Sequence, residues 1–504
     1  MLITMTSQID ERSSIVGFVA EDGFSVSGAK SPHRQMPARA PFAESLISVG
    51  DRFAGSLHAL PLAGGHSIEG SALEETYKRL FGDEYFQSDL SISGDPIDSF
   101  FRPKSCLASA QKLAAKAFGS DATLFVTCGT TTANRISVEA LRSLAGKRPE
   151  QWWVLADRTS HQSIHFQLEQ MSGRVSYAAQ RTDEGHNRSW LNVDDLIRQF
   201  KEAARSGEPF DTVVLCGASY DGAIINYVSL FGELIKFTDS LHLLIDEAWS
   251  AVNNFHPELR EASALEAARR VRQEHPAKDI QVVVTHSAHK SMSAIRQGSY
   301  VHVLGSQQLV AEVKRHIYRI HTTSPSLPIL ASLDLARAQA EMEGEELLER
   351  SLVQMWQLRN LIESDPDLSS YSLALPPGAE DQWMREDPTK VLLCVDGLGL
   401  NGQEFREKLL SQYSIYVARS TRDGVVLHMH IGVTASIFSR LMDAMRDIQL
   451  AAMFTRESTV CPKGTFLIAY PPGTPLLLPG QTSTGMSSPE VVSSLPSGAE
   501  VFFV

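Results

Sequence analysis

A primary amine and a carboxylate, each at the end of its own apolar run, are the side chains in this sequence best suited to do chemistry. Val282-Val283-Val284-Thr285-His286-Ser287-Ala288-His289 leads to Lys290, and earlier Leu241-His242-Leu243-Leu244-Ile245 leads to Asp246, followed by Glu247-Ala248-Trp249. A lysine delivered by a strand into a polar pocket suits Schiff-base formation with a carbonyl. A carboxylate opposite it suits an aldehyde cofactor with a pyridine ring, because it keeps the ring nitrogen protonated and lets the ring accept electrons from a carbanion. A lysine after a strand, taken alone, is more often a solvated loop residue. The paired carboxylate is what points to chemistry.

Three further runs end in polar groups. Thr123-Leu124-Phe125-Val126-Thr127 gives way to Cys128-Gly129-Thr130-Thr131-Thr132-Ala133-Asn134. There Gly129 admits close approach of an anion, and the hydroxyls with the free amides of a helix start can bind it. The same residues also make an ordinary helix N-cap. No Gly-X-X-X-X-Gly-Lys-Ser/Thr loop is present, and no Gly-X-Gly-X-X-Gly follows a strand, so the expected anion is a cofactor monophosphate rather than a nucleotide. Trp152 to Ala156 runs into Asp157-Arg158-Thr159-Ser160-His161-Gln162-Ser163, where His161 can lie flat against a ring or serve as a structural group. Thr212 to Cys216 leads to Ser219-Tyr220-Asp221-Gly222, a tight turn with Gly222 in a strained position, whose Asp221 can also orient groups near the ring.

These ends need a scaffold, and the short apolar runs supply it. The runs above, with Gln281 to Val284 and Tyr300 to Leu304, read as fully buried strands. Helical periodicity separates several of them, at Val193 to Ala204 and Leu259 to Gln273, which predicts an α/β fold with a mostly parallel sheet covered on both faces. Ligands in such folds sit beyond the carboxyl ends of the strands, where each residue singled out here falls. Leu107 to Phe118 reads as a helix closed by Gly119. A long helical stretch from Leu333 to Ile362 bridges to a smaller α/β C-terminal domain, with Pro376-Pro377-Gly378 as punctuation. The expected division is an arm and linker over 1–105, a large domain over 106–375 and a small domain over 376–504.

Composition narrows the class. With 504 residues, 43% hydrophobic and 21% charged, the chain can bury substantial cores. A formal charge of -13 argues against nucleic acid as the main partner. No run is long and apolar enough for a membrane span, and Asp10, Glu11 and Arg12 close behind Met1 do not make a signal peptide, so a cytoplasmic protein is expected. The five cysteines, Cys106, Cys128, Cys216, Cys394 and Cys461, lack metal-ligand spacing, and no metal site is expected. Cys128 and Cys216 end strands and read as buried packing.

Taken in order, Leu80-Phe81-Gly82-Asp83-Glu84-Tyr85-Phe86-Gln87-Ser88-Asp89-Leu90-Ser91-Ile92-Ser93, the Gly129 to Asn134 turn, Asp157-Arg158 with His161 and Ser163, Tyr220-Asp221-Gly222, Asp246 with Ala248-Trp249, and Ser287-Ala288-His289-Lys290 form a specific set. It continues through Thr323-Ser324-Pro325-Ser326, Asp387-Pro388-Thr389-Lys390-Val391 and Tyr470-Pro471-Pro472-Gly473-Thr474-Pro475. The sequence resembles the Orn/Lys/Arg decarboxylase family of fold-type-I, pyridoxal-phosphate-dependent enzymes. The resemblance implies pyridoxal 5'-phosphate as cofactor, with Lys290 forming the Schiff base and Asp246 pairing with the pyridinium nitrogen. It implies that His161 stacks on the ring and Ala248 packs on its other face. Gly129, Thr130, Thr131, Ser287 and His289 become phosphate and imine-side contacts, and Lys290 or His289 the proton donor to carbon. Thr323 or Ser324 would reach a neighbouring subunit's phosphate in an assembly that is at least a homodimer. The implied reaction is decarboxylation of lysine, arginine or ornithine. Transamination, decarboxylation-dependent oxidation and carbon-carbon bond formation begin from the same adduct, and a non-catalytic regulator on the same scaffold is a third reading.

The sequence departs from that family in places. A receiver-like N-terminal wing is not expected, and Gly94 to Ser105 replaces the family's usual entrance segment. Arg296 stands where a small hydroxyl is common and Leu327 where tyrosine is frequent. The family's usual closing helices are not expected after Pro479-Gly480. Arg296 reads either as a carboxylate ligand or as a surface cation. Asp89, Asp95 and Asp98 are positional candidates to meet a cationic substrate, or else cap and solvent residues, and Arg419 and Arg422 are candidates for an α-carboxylate.

Overall fold

The computed structural model describes residues 39–456, apart from positions 93, 95, 96, 172, 184, 187, 375–377, 379 and 380, together with strands at Leu467–Tyr470, Thr474–Leu477 and Glu500–Phe503. The first 38 residues of the expected arm, Ser93, Asp95, Pro376-Pro377, Cys461, Pro471-Pro472-Gly473 and Pro479-Gly480 lie outside the described residues.

Seven strands form the main sheet: β1 (Ala122–Val126), β2 (Trp153–Asp157), β3 (Arg174–Ala178), β4 (Thr212–Cys216), β5 (Ser240–Asp246), β6 (Asp279–His286) and β7 (Ser299–Leu304), in the order β1-β7-β6-β5-β4-β2-β3. Strands β2 to β6 pair in parallel, while β7 runs antiparallel to both β6 and β1. Six strands therefore end at one edge of the sheet, and β7 begins there.

The strands are apolar throughout because both faces are covered. Phe125, Leu155, Val213, Leu215, Leu243, Ile245, Val282 and Val284 point into one core, and Leu124, Val154, Val214, Leu244 and Val283 into the other. The fold is the α/β architecture expected from the sequence. The edge strand β3 was not anticipated, since its Arg174, Val175, Ser176 and Tyr177 are partly or wholly exposed and carry no buried-strand signature.

Helices α1 (Pro41–Gly50), α2 (Cys106–Phe118), α3 (Gly129–Ala145), α4 (Gln162–Gln170) and α5 (Val193–Arg205) precede a 38-residue helix α6 (Leu327–Ser364). Gly119 caps α2 in the left-handed conformation, as its position predicts. Asp98 closes the other end of α2, its carboxylate accepting from the amides of Ser105 (2.7 Å) and Leu107 (2.9 Å). The stretch 259–273, read as one helix, is two: Pro257–Arg260 and Ala264–Glu274. Ser263 breaks it by accepting from the Glu266 amide at 3.2 Å as an N-cap.

Beyond α6 a second sheet holds β8 (Ser372–Ala374), β9 (Lys390–Cys394), β10 (Arg419–Ser420) and β11 (Gly424–His428), in the antiparallel order β8-β9-β11-β10. Its core gathers Val391, Leu393, Val425 and Leu427 with Met355 and Leu358 of α6. No described helix is long and apolar enough to cross a membrane.

Candidate active site

A cavity of about 980 Å³ opens over the edge where the six strands end, at the upper end of the usual size for small-molecule sites. The strand register explains its contents. Cys216 of β4 lies beside Asp246 of β5, which lies beside Thr285 of β6. One step beyond those ends come Ala218 to Asp221, Ala248 and Trp249, and Ser287, His289 and Lys290; all line the cavity. From β1 the chain enters through Cys128, Gly129, Thr130 and Thr131, and from β2 through Thr159 and His161.

Asp246 is buried, and each of its carboxylate oxygens accepts one hydrogen bond: Oδ1 from the Ala248 amide (3.0 Å), Oδ2 from Asn134 Nδ2 (2.8 Å). Asn134 is itself held, because its Oδ1 accepts from Thr285 Oγ1 at 2.7 Å and its Nδ2 reaches Ser163 Oγ at 3.2 Å. Ser163 completes the network. Its amide donates to His161 Nδ1 (3.2 Å) and its hydroxyl lies 2.8 Å from the same atom. A ring nitrogen that accepts from that amide carries no proton, so the imidazole N–H sits on Nε2. Asn134 was quoted in the sequence motif without a role. The sequence alone gives it no role, because the carboxylate it holds at the end of β5 becomes its neighbour only once the strands are ordered.

Lys290 is part-buried, with Nζ 3.8 Å from the centroid of the Trp249 ring. Burial pushes its ammonium below the usual lysine range; Asp246 opposes that shift and the charge of Lys390 adds to it. The imidazole of His289 is likewise lowered, by burial and by the charges of Lys290 and Arg296, against the bond of its Nδ1 to Gly298 O at 3.1 Å. Hydroxyls gather at the start of α3. Thr130 Oγ1 bonds Ser287 Oγ and lies 2.8 Å from Ser299 Oγ. Gly129, at φ +78°, takes a conformation that side-chain-bearing residues rarely adopt, and its amide donates to Gln297 O at 2.9 Å.

Of the residues expected at the site, Lys290, Asp246, His161, His289, Gly129, Thr130, Thr131, Ala248 and Ser287 come together in this cavity. Thr323 and Ser324 do not line it and are exposed. Cys128 and Cys216, read as packing, line the cavity wall. The Cys216 thiol is pushed well up by burial and by Asp157 and Asp246. Cys128 goes the other way, because contacts with His321 and the Thr322 backbone outweigh burial. Asp221 also faces the cavity, 2.7 Å from Arg419 Nε, and Gly222 has the left-handed φ expected of its turn, +92°. Asp89 and Asp98 do not line the cavity, and Arg422 is exposed beside Asp423.

The arrangement is chemically specific. An amine partly stripped of solvent, a fixed carboxylate with lone pairs to spare, and an anion-ready helix start on one strand edge suit a phosphorylated pyridine aldehyde, as fold-type-I enzymes use. A family model described as the Orn/Lys/Arg decarboxylase major domain matches residues 40–426, and the chain belongs to that family. Membership makes it an amino acid decarboxylase, and family and fold together imply pyridoxal phosphate as its cofactor. An arginine decarboxylase of Bacillus anthracis is 25% identical over 477 residues, covering 87% of this chain and 90% of that protein. A lysine decarboxylase of Pseudomonas aeruginosa is 28% identical over 409 residues, covering 72% of this chain and 52% of its own length. The crystal structure of a Francisella novicida lysine decarboxylase superposes with a TM-score of 0.68 at 18% identity, covering 92% of this chain and 79% of that one.

The donor set fits the implied cofactor. Lys290 offers the amine for an aldehyde, Asp246 the acceptor for a protonated ring nitrogen, and Thr130, Thr131 and Ser287 amides and hydroxyls for a phosphate beside Gly129, whose own amide is taken by Gln297 O.

Proposed function

We propose that this chain removes the α-carboxylate of a basic amino acid, lysine, arginine or ornithine, and releases carbon dioxide and the corresponding amine. One observation carries the reading: Lys290 and the doubly hydrogen-bonded Asp246 face a single cavity at adjacent strand ends, in a chain of the Orn/Lys/Arg decarboxylase family. The names of the relatives in Bacillus and Pseudomonas support the basic side chain.

Bound in this cavity, pyridoxal phosphate supplies the electron sink for the pair freed when the bond from Cα to the carboxylate breaks. Lys290 presents Nζ as a neutral nucleophile more readily than a solvated lysine, because burial disfavours its charged form. Asp246 would hold the protonated ring nitrogen, and Asn134 with the Ala248 amide stops the carboxylate from rotating away. His161, with its N–H on Nε2, and Ala248 both line the cavity and would hold the ring between them. When it carries a proton, Lys290 Nζ would be the group placed to return one to the substrate carbon that lost the carboxylate, with His289 beside it as the other candidate. His289, lowered in basicity by burial, has its Nδ1 bonded to Gly298 O and orients the loop beside it. Thr323 and Ser324 belong to the same proposal as contacts to a second subunit's site, in a homodimer.

Purified protein loaded with cofactor should release carbon dioxide and an equal amount of amine from at least one of the three amino acids, without hydrogen peroxide. Peroxide would favour the oxidative alternative, and no carbon dioxide from any of them would end the decarboxylase reading. Borohydride should fix the cofactor on the peptide carrying Lys290 in the natural chain and nowhere in Lys290→Ala.

A further inference from the structure

Strand β7 is the one strand of the main sheet that runs the other way, and this carries a consequence for the cavity. Because it begins at the edge where β1 and β6 end, and sits between them, the residues just before it enter the cavity between two functional groups. On one side is the start of α3, reached from β1; on the other is Lys290, reached from β6. Those entering residues are Arg296 and Gln297, and both line the cavity.

Arg296 is exposed where it lines the cavity, and the backbone beside it is fixed. Gln297 has a φ of +73°, a left-handed conformation that costs a non-glycine residue energy, and its carbonyl accepts from the Gly129 amide at 2.9 Å. One residue on, Gly298 O takes the His289 Nδ1 bond. Arg296 is therefore tethered through its neighbours to the first residue of the anion-binding turn and to the lysine-bearing segment at once. Its charge is felt at His289, as expected if the guanidinium lies near that end of the cavity. No ion pair ties it elsewhere among the described residues.

We infer that Arg296 is a ligand of the cofactor's phosphate, completing with its charge a cradle that the hydroxyls of Thr130, Thr131 and Ser287 and the free amides at the start of α3 provide. A phosphate bound by neutral donors alone keeps its full negative charge. A planar guanidinium offers it paired donors and a compensating charge, which lysine at the same place would supply only in part. The alternative, that Arg296 binds the substrate's carboxylate, places its partner at the substrate rather than at the cofactor's phosphate.

The inference rests on the cofactor reading above, and the test separates the two. Full-length protein freed of cofactor is titrated with pyridoxal phosphate and, separately, with pyridoxal, which has the same ring and aldehyde but no phosphate; binding is followed by absorbance of the adduct. Arg296→Met should weaken binding of pyridoxal phosphate by about ten- to a hundred-fold, the range for one charge-assisted contact. It should leave pyridoxal binding unchanged, and Arg296→Lys should fall between. Equal affinity of natural and Arg296→Met protein for pyridoxal phosphate overturns the inference, with a raised substrate KM then marking a carboxylate ligand. Equal loss for both aldehydes overturns it too, since that pattern reports a disturbed loop. Failure of the natural chain to bind pyridoxal phosphate would instead remove the cofactor reading, and this inference with it.

Discussion

The reactivity of Lys290 is set by competing influences of its surroundings. Burial and Lys390 disfavour its charge, Asp246 favours it, and the face of Trp249 at 3.8 Å also stabilises a cation. Burial is the largest cause, so the amine is depressed and neutral at lower pH than a free lysine. The sign is testable with a small aldehyde that needs no ring site. Reductive methylation of Lys290 in cofactor-free protein, followed by mass spectrometry across pH, should show its rate rising at lower pH than that of exposed lysines such as Lys236. Asp246→Asn removes the carboxylate that favours the charge, so the profile should move to still lower pH. A profile like that of Lys236, or a shift upward in Asp246→Asn, would contradict the assignment of burial as the dominant cause.

At the scale of elements, the turn after β4 is locked by a group from the smaller sheet. Lys390, the first residue of β9, is buried; its ammonium pairs with Asp387 at 2.9 Å and lies near the Ser219 carbonyl at 3.3 Å, and Asp387's own amide donates to Gly222 O at 2.8 Å. Burial alone would raise the Asp387 carboxyl, but Lys390 and Thr389 outweigh it and hold the carboxyl below the usual range. That pairing contributes stability above the ordinary aspartate value of about 4 and loses it as pH falls through the depressed one. Lys390→Met leaves Asp387 buried without its cation and should destabilise by about 3–5 kcal/mol in urea unfolding at pH 7. The deficit should shrink as the pH is lowered and the carboxyl takes a proton; a deficit that stays constant would argue against a charge effect. The sequence showed this region only as a motif, because nothing local says that a lysine opening one strand will reach a loop far upstream. It showed the strands well, since double-sided burial leaves continuous apolar runs, and it missed β3, whose exposed face breaks that pattern. The break at Ser263 was legible: Ser263-Ala264-Leu265-Glu266 carries the serine and glutamate of a capping pattern, but the apolar periodicity either side hid it. Most of the candidate site could be read from strand ends. Asn134 and Gln297 could not be assigned, because their roles depend on which strands become neighbours.

Across the whole molecule, α6 joins the two sheets and also anchors the first described helix. Arg337, midway along its first half, is almost wholly buried; it pairs with Asp334 at 2.6 Å and Glu341 at 2.5 Å and donates to the Arg39 carbonyl at 2.5 Å. Asp334 in turn accepts from the Phe42 amide at 2.8 Å, so the start of α1 is held by a buried ion pair rather than by a cap of its own. The Asp334 carboxyl is raised, which means that burial disfavours its charge more than Arg337 and the amides favour it. Such a pair gives little net stability, yet losing one member strands the other. Arg337→Met should therefore destabilise by about 3–5 kcal/mol, and the double variant Asp334→Leu with Arg337→Met should recover part of that, short of the bond lost at Phe42. Urea unfolding of the three proteins measures it. Borohydride fixation at Lys290 should be unchanged in all of them, because neither residue lines the cavity. A double variant weaker than Arg337→Met would mean that the carboxylate's grip on α1 outweighs the cost of burying its charge.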